Sequence, residues 1–388
     1  MILDAEYPND ARISNECESL IKAGHEIFLF CLSYNKSFVR KEIINQINVR
    51  RYFCSKISYK LSALANDISF YSNIMLSKIH DFALTNDIEV LHIHDIQIAD
   101  ASLKVARKLQ IKTVLDLHEN RPEIMKDYKH VNSYLGKLLI SSKRWKKAEE
   151  KFVKQSDKVI VVTKEAKKEL LTRCDKKTNE IIVYPNTVKQ SFYKNKIIDH
   201  EIEETYSNDF VILYIGNTSK RRGLDTVLDS MHTIKKSINN IKLIILGKSS
   251  YDNELKKKIN KLKLDSVVDF IGWVDEDDLY KYLLVSDVGI SPLYSNLHHD
   301  TTYANKLFQY MSFGIPIVCS DSKAQANLIN ENNCGVIFKN KDVNDFIRVL
   351  LELIKNKSKL KTLSKNCQIA IDKLNNNQVS KDLIDIYA

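Results

Sequence analysis

Residues 296–321 read NLHHDTTYANKLFQYMSFGIPIVCSD, a loop, a helix, a turn and a strand in one run. Thr301 and Thr302 are N-cap candidates, because a hydroxyl there accepts a hydrogen bond from a free N–H of the first turn. Ala304, Leu307, Phe308 and Met311 recur at helical spacing and predict a core-facing stripe on a helix over 303–313. Gly314 stands where a left-handed cap ends that helix, Pro316 follows it, and Ile317, Val318 and Cys319 read as a buried strand. The opposite face carries Thr302, Asn305, Lys306 and Gln309 beside the N-terminal end. Free N–H groups and the positive pole of the helix dipole suit a phosphate at such an end. A solvated amphipathic helix has the same pattern, so the surrounding chain has to decide.

Working outward, strands and helices alternate in both directions. Residues 210–215 (FVILYI) form a strand that stops at Gly216, and the loop GNTSKRRG over 216–223 leads into a helix. A glycine-bounded loop before a helix brings backbone amides and basic side chains, here Lys220, Arg221 and Arg222, to a diphosphate. Further strands follow at 242–247, 267–271 and 287–292. Gly272, Trp273 and Val274 end the second of these, and Trp273 reads equally as a stacking platform or as core.

Toward the N-terminus, Ile2 and Leu3 are the stub of a first strand, with a helix from about Ser14 to Gly24 and a strand at 25–32. Residues 87–94 (DIEVLHIH) and 112–117 read as successive parallel strands. The first delivers His94 and Asp95 at its carboxyl end, the second His118 and Glu119, and open α/β sheets bind ligands at such ends. The pattern predicts an α/β protein of two doubly wound domains, 1–187 and 188–370, with polar residues 194–208 as linker and a last helix over 371–388.

Composition bounds the functions. The 388 residues suffice for two cores, and no apolar run approaches the roughly 20 residues of a spanning helix. No signal peptide is read at the start. Seven scattered cysteines without a C-x-x-C pair indicate reduced thiols and a cytoplasmic protein. The net charge of +10 admits anionic partners. Residues 126–154, with Tyr134, Leu138, Lys143, Arg144, Trp145, Lys146 and Lys147, read either as an interfacial helix on anionic lipid or as a core-packed helix with a wet basic face. The H-x-H-D run at 92–95 lacks further ligands at metal spacing, so no metal is expected.

The segment 305–320, the loop 216–223, the strand ends H-x-H-D and D-x-H-E-x-x-P-E (116–123) and the P-x-D-x-R loop (8–12) together resemble the retaining glycosyltransferases of family 4. These have the GT-B architecture of two facing Rossmann-like domains with an interdomain cleft, in which the last helix, here 371–388, commonly crosses back to the first domain. The resemblance covers nearly the whole chain. It implies donor binding by Gly216, Arg222, Gly272, Trp273, Val274, Thr301, Thr302, Asn305, Lys306 and Gln309, and His118 as the catalytic residue near the transferred sugar. Gln309 and Thr301 stand where the family has acidic residues for ribose and sugar, and Asn217 where it has an arginine.

Arg12, His94, Asp95 and Glu119 would line the acceptor side or the cleft, Arg12 either meeting an anionic acceptor or lying as a surface arginine. The implied substrates are a nucleoside-diphosphate sugar and a saccharide or lipid-linked acceptor, with no permanently bound cofactor and no nucleic acid. Contact with the inner face of the cell membrane is a further expectation. The alternatives are a non-hydrolysing sugar-nucleotide epimerase and a silent sugar-nucleotide-binding subunit.

Overall fold

A computed structural model describes residues 1–8, 10–60, 62, 70–127, 131, 140–194 and 196–387. By its internal contacts the chain divides into two units, Met1–Pro185 with Ser380–Ala388, and Asn186–Val379.

The first unit holds strands β1 (Phe28–Ser33), β2 (Lys41–Ile44), β3 (Ile47–Phe53), β4 (Val90–His94), β5 (Lys112–Leu117), β6 (Lys158–Val161) and β7 (Ile181–Val183). They run β2-β3-β1 and β4-β5-β6-β7, joined by Ile2, which bridges Phe30 on one side and Ile93 on the other. Its N–H donates to His92 O at 2.7 Å, and its carbonyl accepts from His94 N at 3.0 Å. Met1 O, Leu3 N and Ala5 O also bond to β1, but only Ile2 bridges both sides, which is why the first strand reads as a stub. The β2–β3 hairpin has no counterpart in the sequence reading. Its turn residues, Asn45 and Gln46, both take positive φ (49° and 66°), the geometry of a two-residue hairpin turn, but without the glycine that signals one.

The first helix starts at Ala11, three residues before the expected Ser14, because Asp10 caps it, accepting from Arg12 N at 2.9 Å and Ile13 N at 3.2 Å. Of the basic region, Ser142–Gln155 is a helix with Trp145 buried in the core. Residues 128–130 and 132–139, Tyr134 and Leu138 among them, lie outside the described residues.

The second unit carries β8 (Phe210–Ile215), β9 (Ile241–Leu246), β10 (Val268–Gly272), β11 (Val288–Ser291), β12 (Ile317–Ser320) and β13 (Gly335–Phe338), all parallel, in the order β10-β9-β8-β11-β12-β13. Relabelled from one, that is 3-2-1-4-5-6, the doubly wound order with a switch point between β8 and β11. Alternation along β8 builds two cores. Val211, Leu213 and Ile215 pack with Leu307, Phe308 and Met311, while Ile212 and Tyr214 pack with Leu224, Val227 and Met231. The expected linker is partly structured: His200–Tyr206 is a helix capped by Asp199, and Tyr206 is buried in the first of these cores.

Candidate functional site

In the second unit the site grows from the switch point. β8 and β11 pair only at Ile212–Val288 and Leu213–Gly289. Beyond that the Tyr310 hydroxyl stands in for the ladder, donating to Leu213 O at 2.9 Å and accepting from Ile215 N at 3.1 Å. A Cβ at Gly289 would come within 2.4 Å of the Tyr310 ring, so only glycine admits it there. The crevice at the strand ends therefore has a cause in two residues, neither of which sequence reasoning singled out.

Beside it, Gly216 ends β8 with φ of 116°, and Lys306 Cε lies 3.8 Å from where its Cβ would stand. The Lys306 side chain is buried, with Nζ 3.5 Å from the centroid of the Tyr214 ring. Among the described residues Nζ has no hydrogen-bond partner. The ring face favours an ammonium, but burial and then Arg222 hold the amine well below the usual lysine range. An anion placed here would relieve both. Gly223, at φ of 82°, brings the end of the loop against β11, where a Cβ would fall 1.7 Å from Pro292 O.

The other expected donor residues divide. The helix runs Lys306–Ser312, not 303–313, and its N-cap Asn305 makes no side-chain capping bond. Thr301 and Thr302 are not N-caps. They close the preceding short helix, Leu297–Asp300, donating back to Leu297 O (2.7 Å) and His298 O (2.8 Å), because a hydroxyl one turn after a carbonyl finds that acceptor first. Asn305 is exposed and Gln309 half-buried. Trp273 is 64% exposed, which removes the core reading; its Nε1–H donates to Asp275 at 3.3 Å, and Lys248 Nζ lies 4.9 Å from the ring. Gly272 O accepts from Gly247 N, and Val274 packs half-buried against the core. His298 and His299 were missed. Burial lowers both, to about 2 and about 3, so His299 is neutral, donating from Nδ1 to Tyr294 O at 2.7 Å and accepting from Arg221 at Nε2.

In the first unit the strand ends carry a buried charge network. Asp116 on β5 takes both arms of Arg12, Nε at 2.8 Å and a terminal nitrogen at 2.6 Å, while Arg12 also donates to Tyr184 O at 3.0 Å. Arg12 is only 7% exposed, so it is neither a surface arginine nor a side chain open to an anionic acceptor; its place in the first helical turn sends it under the sheet end. His118 Nε2 lies 2.9 Å from Asp116 and 3.1 Å from His94 Nδ1, and Asp95 approaches from the other side at 3.8 Å. Burial pulls the His118 pKa down, but Asp95 and Asp116 outweigh it and raise it to about 9. His94, buried and next to His92, is driven well below the usual value. Asp95, at φ of 65°, accepts from His118 N at 3.4 Å. Glu119 pairs with Arg121 at 2.9 Å.

Glu16, His92, His94 and Asp116 offer ligand atoms within 4.8 Å of one another. Both carboxylates already touch Arg12, Glu16 at 2.9 Å. The set fits a guanidinium better than a divalent ion.

Two family models match. One described as glycosyl transferases group 1 covers residues 195–369, and one described as Glycosyltransferase Family 4 covers 12–192. The alpha-monoglucosyldiacylglycerol synthase of Acholeplasma laidlawii is 22% identical over 297 residues, 73% of this chain and 71% of that protein. An uncharacterized glycosyltransferase of Haemophilus influenzae is 24% identical over 351 residues, 88% of this chain and 85% of its own. Among solved structures, sucrose-phosphate synthase from Thermosynechococcus elongatus superposes with a TM-score of 0.78 at 13% identity, over 99% of this chain and 95% of that one. Anabaena HepE in complex with UDP gives 0.75 at 13% identity, over 100% and 98%. The fold is theirs.

Proposed function

The chain belongs to the group 1 glycosyltransferases of GT-B architecture, and on that premise we propose that it moves a sugar from a nucleoside diphosphate to a hydroxyl of a saccharide or lipid-linked acceptor, with retention at the anomeric carbon. The observation that carries this is Lys306. A buried amine with no acceptor among the described residues, over an aromatic face and at the switch point of a doubly wound sheet, suits an anion. In the transfer the bond from the anomeric carbon to the diphosphate oxygen breaks, and the bond to the acceptor oxygen forms on the same face. The acceptor's proton passes to the departing phosphate oxygen. Lys306 and Arg222 would offset the charge that develops on the diphosphate, and the His118 imidazolium would supply further positive charge. Gln309 would meet the ribose through one carbonyl and one N–H, and Trp273 would offer its exposed ring to the base. No metal is assigned a part.

The names of similar proteins speak of a monoglucosyldiacylglycerol synthase, as above, and of capsular polysaccharide biosynthesis for a Staphylococcus aureus relative. These names support, as our reading of the setting, glycolipid or surface-polysaccharide assembly at the inner face of the cell membrane. No helix among the described residues is long and apolar enough to cross a membrane. Lys143, Arg144, Lys147, Lys151 and Lys154 are exposed on one helix while Trp145 is buried, so contact with anionic lipid would be electrostatic. Flotation with anionic vesicles that persists at high salt would contradict that.

The decisive experiment is a thermal-shift screen of UDP-, GDP- and ADP-sugars against the wild type and Lys306→Met. One sugar nucleotide should stabilise the wild type, and the variant should bind it at least roughly 10-fold more weakly, the loss of a charge-assisted contact. An undiminished shift in the variant would remove Lys306 from the donor site.

A further inference from the structure

The second-last residue of the chain reaches the charge network of the first unit. Residues 380–388 belong to that unit, and Tyr387 lies with its ring stacked near His92, interplanar angle 19°, and tilted against His25. Its hydroxyl is 2.5 Å from His92 Nδ1. On the other side of the imidazole, Nε2 faces Glu16 Oε2 at 3.3 Å and Asp116 Oδ2 at 3.9 Å. Asp116 in turn holds His118 at 2.9 Å.

We propose that Tyr387 is a positioning residue for His118: its hydroxyl donates to Nδ1 of His92, fixes the imidazole as the Nε2–H tautomer, and so turns an N–H toward Glu16 and Asp116. The role rests on reading His118 as the imidazole beside the transferred sugar.

The tautomer follows from what stands on each side. A neutral imidazole has one N–H and one lone pair. On the Nε2 side are two carboxyl groups, and a lone pair turned toward them in a buried site would be repelled. On the Nδ1 side is a phenol, which can donate. His92 is neutral, since burial lowers its pKa despite Asp116. Every neighbour is consistent with that. The helix Ala11–Lys22 brings Arg12 and Glu16; burial and then Asp116 push the Glu16 carboxyl up, but the Arg12 guanidinium, 2.9 Å from Oε1, counters them and favours the acceptor form whose Oε2 faces Nε2. β4 brings His94, stacked on His92 at 4.5 Å, and the Met1 amine, which burial lowers to about 6, lies nearby. An N–H dipole oriented at Asp116 supports its anion beside Arg12 and His118. The end of the chain thereby bears on the charge of a residue 269 positions earlier (387 − 118).

Long-range proton–nitrogen NMR of the wild type reads the tautomer directly, and His92 should show its proton on Nε2. In Tyr387→Phe the ring remains and the hydroxyl goes. The alkaline limb of the kcat/KM profile should move to higher pH, because an N–H no longer offsets the charge of Asp116 beside His118, and kcat should fall roughly 5- to 10-fold, the worth of one buried hydrogen bond. KM for the donor should be unchanged. An Nδ1–H tautomer in the wild type overturns the proposal, as does a Tyr387→Phe enzyme with lower Tm but the same kcat and pH profile. Should the variant not fold, the wild-type tautomer decides. Full activity in His118→Asn overturns it by another route, removing His118 from the chemistry while leaving the His92 tautomer as found.

Discussion

Asp4 stands just past Ile2, where the one-residue bridge ends, and is 8% exposed. One oxygen accepts from the Tyr71 hydroxyl, and the other has no hydrogen-bond partner among the described residues. Burial raises its pKa from 3.8 to about 7, against the Tyr71 bond and Arg121. The folded state therefore binds this proton more tightly than the unfolded one. Its contribution to stability is full below about pH 4 and is lost as pH rises through about 7. Asn at this position mimics the protonated form. Urea unfolding from pH 4 to 8 should show the wild type losing stability relative to Asp4→Asn by ~4 kcal/mol at most, the free-energy equivalent of that pKa difference. Parallel curves would mean that Asp4 keeps an ordinary pKa. None of this was legible in MILDAEYPND, because the burial is made by Tyr71, 67 residues away. Lys306 was legible, since a short motif sets its spacing to Gly314 and the strand after it. Arg12 was seen but misplaced: a loop-like P-x-D-x-R gives no hint that Asp10 caps a helix at once and turns the guanidinium under the sheet.

At the scale of elements, the two parallel sheets were legible from their Val/Ile/Leu runs, whereas their irregularities were not. The crevice of the second unit depends on Tyr310 wedging β8 from β11, and the sequence shows only one more aromatic on a helical stripe. Alternation and spacing speak to which side of a helix is apolar; they are silent about a hydroxyl that replaces part of a ladder. Tyr310→Phe keeps the ring against Gly289 and leaves Ile215 N without its partner in a buried site. The loss should be roughly 1–3 kcal/mol of stability, the cost of an unsatisfied buried group. Sugar-nucleotide affinity should fall with it, since Gly216 follows Ile215 directly. Calorimetry and a binding titration on the same preparation measure both. A Phe variant as stable as the wild type would show that the strands splay without help from the hydroxyl. The hairpin Lys41–Phe53 makes the same point from the opposite side, because its Asn-Gln turn adopts the backbone of a glycine-bearing one without its signature.

For the whole molecule, the chain belongs to the first unit up to Pro185, to the second up to Val379, and to the first again from Ser380. The last nine residues then have a stability role separable from the donor site. Leu383 is fully buried and Tyr387 touches His92, so deleting 380–388 opens the edge of the first unit beside Met1 and β4. Losing one buried leucine alone costs about 2–5 kcal/mol. In a unit of this size that corresponds to a fall in Tm on the order of 5–15 °C. Lys306, Gly216 and Trp273 all belong to the second unit, and the deletion touches none of them. The shortened protein should therefore unfold earlier in a calorimetric scan, yet still be stabilised by the nucleotide found for the full chain. Its transfer activity should drop through His118 rather than through donor affinity. If the scan is unchanged, the terminal residues do not pack as described. If the nucleotide no longer stabilises the shortened chain, donor binding needs more than the second unit, and Lys306 cannot carry the weight placed on it here.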